Sequence, residues 1–92
     1  MESTKAKRYA VLDEFSQGQR ERLLYLEMHL WFSGVIGRRD LETRFGIKPT
    51  TTSRDLAAYR ELAPTNLEYD TSDRCYRVAK AFHPVFEYAT DR

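Results

Sequence analysis

Gly46 and Pro49 stand three positions apart between two amphipathic stretches, and this punctuation constrains the fold more than any other feature of the chain. Glycine just past a helix accepts the left-handed backbone that ends it, and proline at a first helical position forfeits no hydrogen bond. The spacing therefore predicts two helices joined by a tight turn. Upstream, Arg38 to Phe45 presents Leu41 and Phe45 at i and i+4, a helix of barely two turns. Downstream, a helix is expected from Pro49 to about Leu62. Thr52, Leu56, Tyr59 and Ala63 mark its inner face, and Thr50, Ser53, Arg54 and Arg60 lie elsewhere on it. Pro64 prevents its continuation, and Ile47 in the turn is placed to plug the core.

The flanking segments supply the rest of a small domain. Ser16 followed by Gln19 reads as a capping box, so a major helix should begin at Gln17 and stop near Ser33-Gly34. Its Leu23, Leu24, Tyr25, Leu26, Met28, Leu30, Trp31 and Phe32 cover well over half the circumference, and such a helix must be buried on more than one side. Arg22, His29 and Ser33 form the remaining polar strip, with His29 expected at the surface. Glu27 falls inside the apolar arc and needs a partner, such as a nearby arginine. Val35-Ile36-Gly37 suggests a brief strand. Leu67-Glu68-Tyr69 and Cys75-Tyr76-Arg77-Val78 alternate around the turn chemistry of Asp70 to Asp73, which reads as a β-hairpin. Tyr9, Val11, Leu12 and Phe15 suggest a short helix within Lys5 to Phe15. Phe82, Val85, Phe86 and Tyr88 form an aromatic tail around Pro84 that is too apolar for a disordered end.

Ninety-two residues suffice for one domain and one core. The segments divide into an extension over 1–16, a body over 17–80, and the tail over 81–92, a linker or dimerisation segment. The fold class is mainly α with a small β-hairpin. Its order of long helix, short strand, short helix, turn, second helix and hairpin is that of a winged helix-turn-helix.

Chemistry narrows the function further. Cys75 is the single cysteine, expected half-buried on its strand, so no intrachain disulfide or cysteine-based zinc site can form. His29 and His83 lack spaced co-ligands, and no metal or other cofactor is expected. No nucleophile with its base and no phosphate-cradling glycine loop is recognisable, which argues against an enzyme. The charged start Met1 to Lys5 argues against a signal peptide or membrane span, and a soluble, cytoplasmic protein is expected. Net charge is only +1, but it is uneven. Arg38, Arg39, Arg44, Lys48, Arg54 and Arg60 face only Asp40, Glu42 and Asp55 in the central segment, while the balance from Glu61 onward is acidic.

A locally basic surface suits phosphate contact. Lys48 and Arg54 are placed to reach guanine edges or phosphate, and Thr50, Thr51 and Ser53 to donate to phosphate or touch a thymine methyl. Arg54 is the leading candidate for a base contact; the competing reading is an ion pair with Asp55 or Glu61. Arg38 and Arg39 open the bracing helix and are expected to hold phosphates together with its amides. Arg74 and Arg77 are candidate phosphate contacts on the hairpin. Glu68, Asp70 and Asp73 make that wing acidic and oppose insertion into a minor groove; its other expected role is to close the core through Leu67, Tyr69, Tyr76 and Val78.

From Gln19 to Phe86 the chain resembles the N-terminal DNA-binding domain of WYL-domain transcriptional regulators, especially those of anti-phage loci such as BREX and CBASS. The resemblance is carried by RRDLETRFGI, TSRDLAAYREL and APTNLEYDTSDRCYR. It implies a bacterial homodimeric repressor of an inverted repeat in double-stranded DNA, with Thr50, Ser53, Arg54 and Tyr59 on the reading helix. The family's WYL effector domain and C-terminal dimerisation region have no room in these residues, so the chain is an excised domain or a stand-alone relative. In the latter case the over-wide helix, the N-terminal segment and the aromatic tail are the candidate dimer surfaces. The alternative function is a winged-helix protein-interaction module without specific DNA binding.

Overall fold

The computed structural model describes residues 12–86. Helix α1 (Gln17–Ser33) begins where Ser16 Oγ accepts the Gln19 backbone N–H at 3.1 Å. Only this half of the expected capping box is formed, because the Gln19 side chain turns away to Asp55. Gly34 ends the helix at φ 81°, its N–H donating to Leu30 O. Strand β1 (Val35–Ile36) follows, then α2 (Arg38–Phe45), closed by Gly46 at φ 63°. Helix α3 (Pro49–Leu62) starts on its proline and stops at Ala63, as the sequence leads one to expect. The hairpin of β2 (Leu67–Asp70) and β3 (Cys75–Val78) completes the order.

Strand β1 does more than connect two helices. It pairs antiparallel with β3, Val35 opposite Arg77 and Ile36 opposite Tyr76, which makes a three-stranded sheet in the order β1-β3-β2. The hairpin is thereby tied to the turn between α1 and α2. Leu23, Leu26 and Leu30 of α1 are wholly buried with Ile36, Leu41, Leu56, Tyr59 and Val85. Other side chains of α1 pack in further directions: Tyr25 meets Phe45 of α2 edge-on at 5.4 Å, and Trp31 stacks on Phe82 at 4.7 Å. The over-wide apolar arc is therefore spent largely within the domain itself.

Four expectations need correction. Glu27 is buried without an arginine; its Oε1 accepts from Tyr59 Oη at 2.7 Å and Val85 N at 2.8 Å, and its Oε2 from Phe86 N at 3.1 Å. Backbone and phenol donors satisfy the carboxylate in place of a cation. His29 is half-buried, its Nδ1 hydrogen-bonded to Val35 O at 2.8 Å, and so belongs to the join between α1 and β1. Tyr69 does not close the core: it shares the face of Leu67 on β2 but stands two residues nearer the turn, where it is exposed and leans on its cross-strand partner Tyr76. The aromatic segment is not separate from the body at residue 81, since Phe82 and Val85 are buried in the same core. The expected N-terminal helix lies mostly outside the described residues, as does Tyr88.

Candidate nucleic-acid interface

Helix α3 is divided cleanly into two faces. Thr52, Asp55, Leu56, Tyr59 and Ala63 point inward, while Thr50, Ser53, Arg54 and Ala57 form an exposed stripe at i, i+3, i+4 and i+7. The division follows from the sequence: the large apolar groups Leu56 and Tyr59 turn inward with Thr52 and Asp55 beside them, and the outer positions carry small or long polar groups. Lys48 precedes the helix as an exposed N-cap residue that makes no side-chain cap, and Thr51 is half-buried beside the stripe.

Three polar contacts at successive turns hold that helix in place. Near its start, Arg38 Nη2 donates to Pro49 O at 2.8 Å and to Ser53 Oγ at 2.9 Å. One turn on, the buried Asp55 carboxylate takes Arg22 Nε on Oδ2, with Arg22 Nη2 and Gln19 Nε2 on Oδ1 at 3.3 and 3.2 Å. A further turn along, the Tyr59 hydroxyl donates to Glu27 and accepts from Asn66 Nδ2 at 2.9 Å. Asn66 also exchanges both backbone hydrogen bonds with His83 at 2.8 Å. Helix α3 is therefore fixed to α2, α1 and the C-terminal segment, and preorganisation of this kind lowers the entropic cost of binding.

The expected site residues fall into distinct groups in this geometry. Lys48, Thr50, Ser53 and Arg54 come together on or beside the exposed stripe. Arg54 makes no ion pair among the described residues, since Asp55 is turned inward to Arg22. Arg39 is exposed on α2. Arg38 is exposed as well, but it is engaged with α3 and lies 3.9 Å from Glu42. The α2 amides are a poor phosphate cradle, because Asp40 Oδ2 occupies the Gly37 N–H at 2.7 Å and places a negative charge in the first turn. Arg60 continues the stripe at its C-terminal end, three positions after Ala57, with its guanidinium 5.9 Å above the Tyr76 ring at the junction with the hairpin. Tyr59 is unsuited to touch DNA: it is fully buried, and its hydroxyl is committed to Glu27 and Asn66.

The wing corrects another expectation. Arg77 is an internal clamp: its Nε donates to Asp70 Oδ2 at 2.7 Å and its Nη2 to Asp73. Asp70 Oδ1 meanwhile accepts the Ser72 and Asp73 amides. Hydrogen bonding from Arg77 and then from the Asp73 amide holds the Asp70 carboxyl below its ordinary value, and Asp70 in turn raises the Arg77 guanidinium. Arg74, at φ 54° in the turn, is the exposed cation of the tip. The nearest grouping of metal-ligand types among the described residues, Asp70, Asp73 and Cys75, has its carboxylates turned to Arg77.

Sequence reasoning missed Asn66 and the bond between Arg22 and Asp55. Asp55 carried a usable signal, since it stands one position before Leu56 on the inner arc and a charge there demands a partner. Asn66 carried none, because its role depends on a segment seventeen positions away.

Comparison with known proteins agrees with this geometry. Over 69 residues the chain is 46% identical to the DNA-binding transcriptional repressor CapW of Escherichia coli strain KTE188, covering 75% of this chain and 23% of that protein. The DNA-binding transcriptional repressor CapW of Pseudomonas aeruginosa is 42% identical with the same coverage, and that of Stenotrophomonas maltophilia 40% identical over 68 residues, covering 74% of this chain and 23% of its own length. The match thus spans under a quarter of the length of these relatives. Residues 18–90 match the family described as the BrxR transcriptional regulator winged helix-turn-helix domain, and the chain belongs to that family.

Proposed function

We propose that the chain binds double-stranded DNA sequence-specifically as the reading domain of a dimeric transcriptional repressor, with α3 in the major groove. The observation that carries this is the exposed stripe Thr50, Ser53, Arg54 on a helix pinned from behind by α1 and held at its start by Arg38 of α2. A helix that stands clear of its own domain fits a groove about 12 Å wide, and these side chains suit base edges and phosphates. Arg54 is assigned to a base edge, and Lys48 and Arg39 to the flanking backbone. Arg74 is the wing's phosphate candidate. Two copies reading half-sites about 34 Å apart would require an inverted repeat. The DNA-binding repressors to which the chain is similar support this reading, as does the family it belongs to. A cytoplasmic setting follows from a DNA partner in a bacterium.

Selection of bound duplexes from a random pool, followed by sequencing, tests the proposal. An enriched inverted repeat is expected, and enrichment of nothing at any salt would overturn it. The rival reading, a protein-interaction module, is favoured by one observation: the wing spends Arg77 on its own aspartates and offers DNA little charge. A salt series separates the two, because phosphate-dependent affinity falls steeply as salt rises.

A further inference from the structure

We infer that Arg38 is a positioning residue for base reading, one that makes Ser53 a directed hydrogen-bond donor toward an acceptor on a base edge. The inference rests on α3 being the reading helix. A serine inside a helix ordinarily turns its hydroxyl back to the carbonyl four residues earlier. For Ser53 that carbonyl is Pro49 O, and Arg38 Nη2 already donates to it at 2.8 Å. The same nitrogen donates to Ser53 Oγ at 2.9 Å, using its second hydrogen. Guanidinium has no acceptor to offer, so Ser53 can only accept from it. Arg38 thus occupies one of the two lone pairs of the Ser53 hydroxyl and shares its usual internal acceptor, which biases Ser53 toward donating. Its own proton is left to point outward, from the exposed stripe that also holds Thr50 and Arg54.

Chemistry then fixes what Ser53 reads. An unassisted serine both donates and accepts, and so distinguishes bases poorly; one held as a donor selects N7 or O6 of guanine, N7 of adenine or O4 of thymine over the N4 amino group of cytosine. Glu42 Oε2 lies 3.9 Å from Arg38 Nε and adds an ion pair one turn along the same helix. Arg38 therefore influences sequence preference without touching a base.

The test is a double-mutant cycle on the 92-residue chain, with Arg38→Met, Ser53→Ala and the pair, each measured against operator variants changed one base pair at a time and across a salt series. Methionine keeps the aliphatic stem and removes every donor. Each single substitution is expected to lower discrimination at the same base pair by roughly fivefold, the low end for one base contact. The pair should lose no more than either alone, and the salt slope should stay that of the wild type. Uniform weakening with a slope shallower by about one would make Arg38 a phosphate contact and overturn the inference. Additive losses, losses at different base pairs, or a Ser53→Ala chain with unchanged preference would also overturn it. Failure of the wild type itself to prefer any sequence would instead sink the DNA-reading assignment on which the inference rests.

Discussion

At Arg54 the structure settles a question of charge that the sequence left open. Its neighbour Asp55 is buried against Arg22, so the Arg54 guanidinium stays on the exposed stripe. Arg54→Ala should cost about 1 to 3 kcal/mol in operator affinity and relax preference at one position; equilibrium titration against single-base operator variants measures both. An equal loss on every duplex would make Arg54 a phosphate contact instead. Asp70 poses the opposite case, a charge used up internally. Arg77 and the Asp73 amide favour its ionised form, so its contribution to the wing is present above the ordinary carboxyl value near 3.8 and is lost as pH falls through the lower folded value. Amide exchange at Ser72 and Asp73, relative to that of an unstructured amide at the same pH, should therefore stay slow through neutral and mildly acidic pH and accelerate only below the ordinary carboxyl value of 3.8. Asp70→Asn should accelerate it at pH 7, and slow exchange in that variant would show that the turn holds without the carboxylate.

Helix α3 shows how an element is placed by contacts on the side opposite its function. The carboxylate of Asp55 has no exposure, and Arg22, its partner, retains only 20%. Asp55→Ala leaves Arg22 beside an apolar face, and a broken buried pair commonly costs about 3 to 5 kcal/mol. A loss near 3 kcal/mol is expected, because Arg22 keeps some water; denaturant unfolding measures it, and a loss below about 1 kcal/mol would assign the hold on α3 to packing alone. Leu41, the one fully buried residue of α2, is the apolar counterpart. The helix boundaries were legible in the sequence because glycine and proline act locally: Gly34 and Gly46 adopt the left-handed backbone expected of them, and Pro49 opens α3. Partners were not legible where they depend on tertiary neighbours. Arg38 read as a free cation because nothing in its own helix shows that Pro49 O and Ser53 lie within its reach. Tyr59 was placed on the inner face by periodicity and among the DNA-contacting residues by resemblance; it lies on α3, but its buried hydroxyl, bonded to Glu27 and Asn66, does not suit contact with DNA.

Across the whole molecule, the segment after the hairpin acts as the last wall of the core. Glu27 on α1 takes the Val85 and Phe86 amides, Asn66 clasps the backbone of His83, and Phe82 lies flat on Trp31. Removing this segment would uncover the Trp31 ring, and would leave a buried carboxylate with fewer donors, a costly arrangement. Losing one buried aromatic side chain alone costs about 3 to 5 kcal/mol, whereas a domain of this size has about 5 to 15 kcal/mol in total. A chain truncated after Ala81 should therefore fail to unfold cooperatively, while one ending at Phe86 should retain a sharp transition; near-UV circular dichroism during thermal unfolding separates them. A cooperative, undiminished transition in the shorter chain would make residues 82–86 the linker that their place in the sequence suggested. Since the same network ends on Tyr59 of α3, a linker outcome would also mean that Glu27 and Asn66 hold Tyr59 without the bonds they make to His83, Val85 and Phe86.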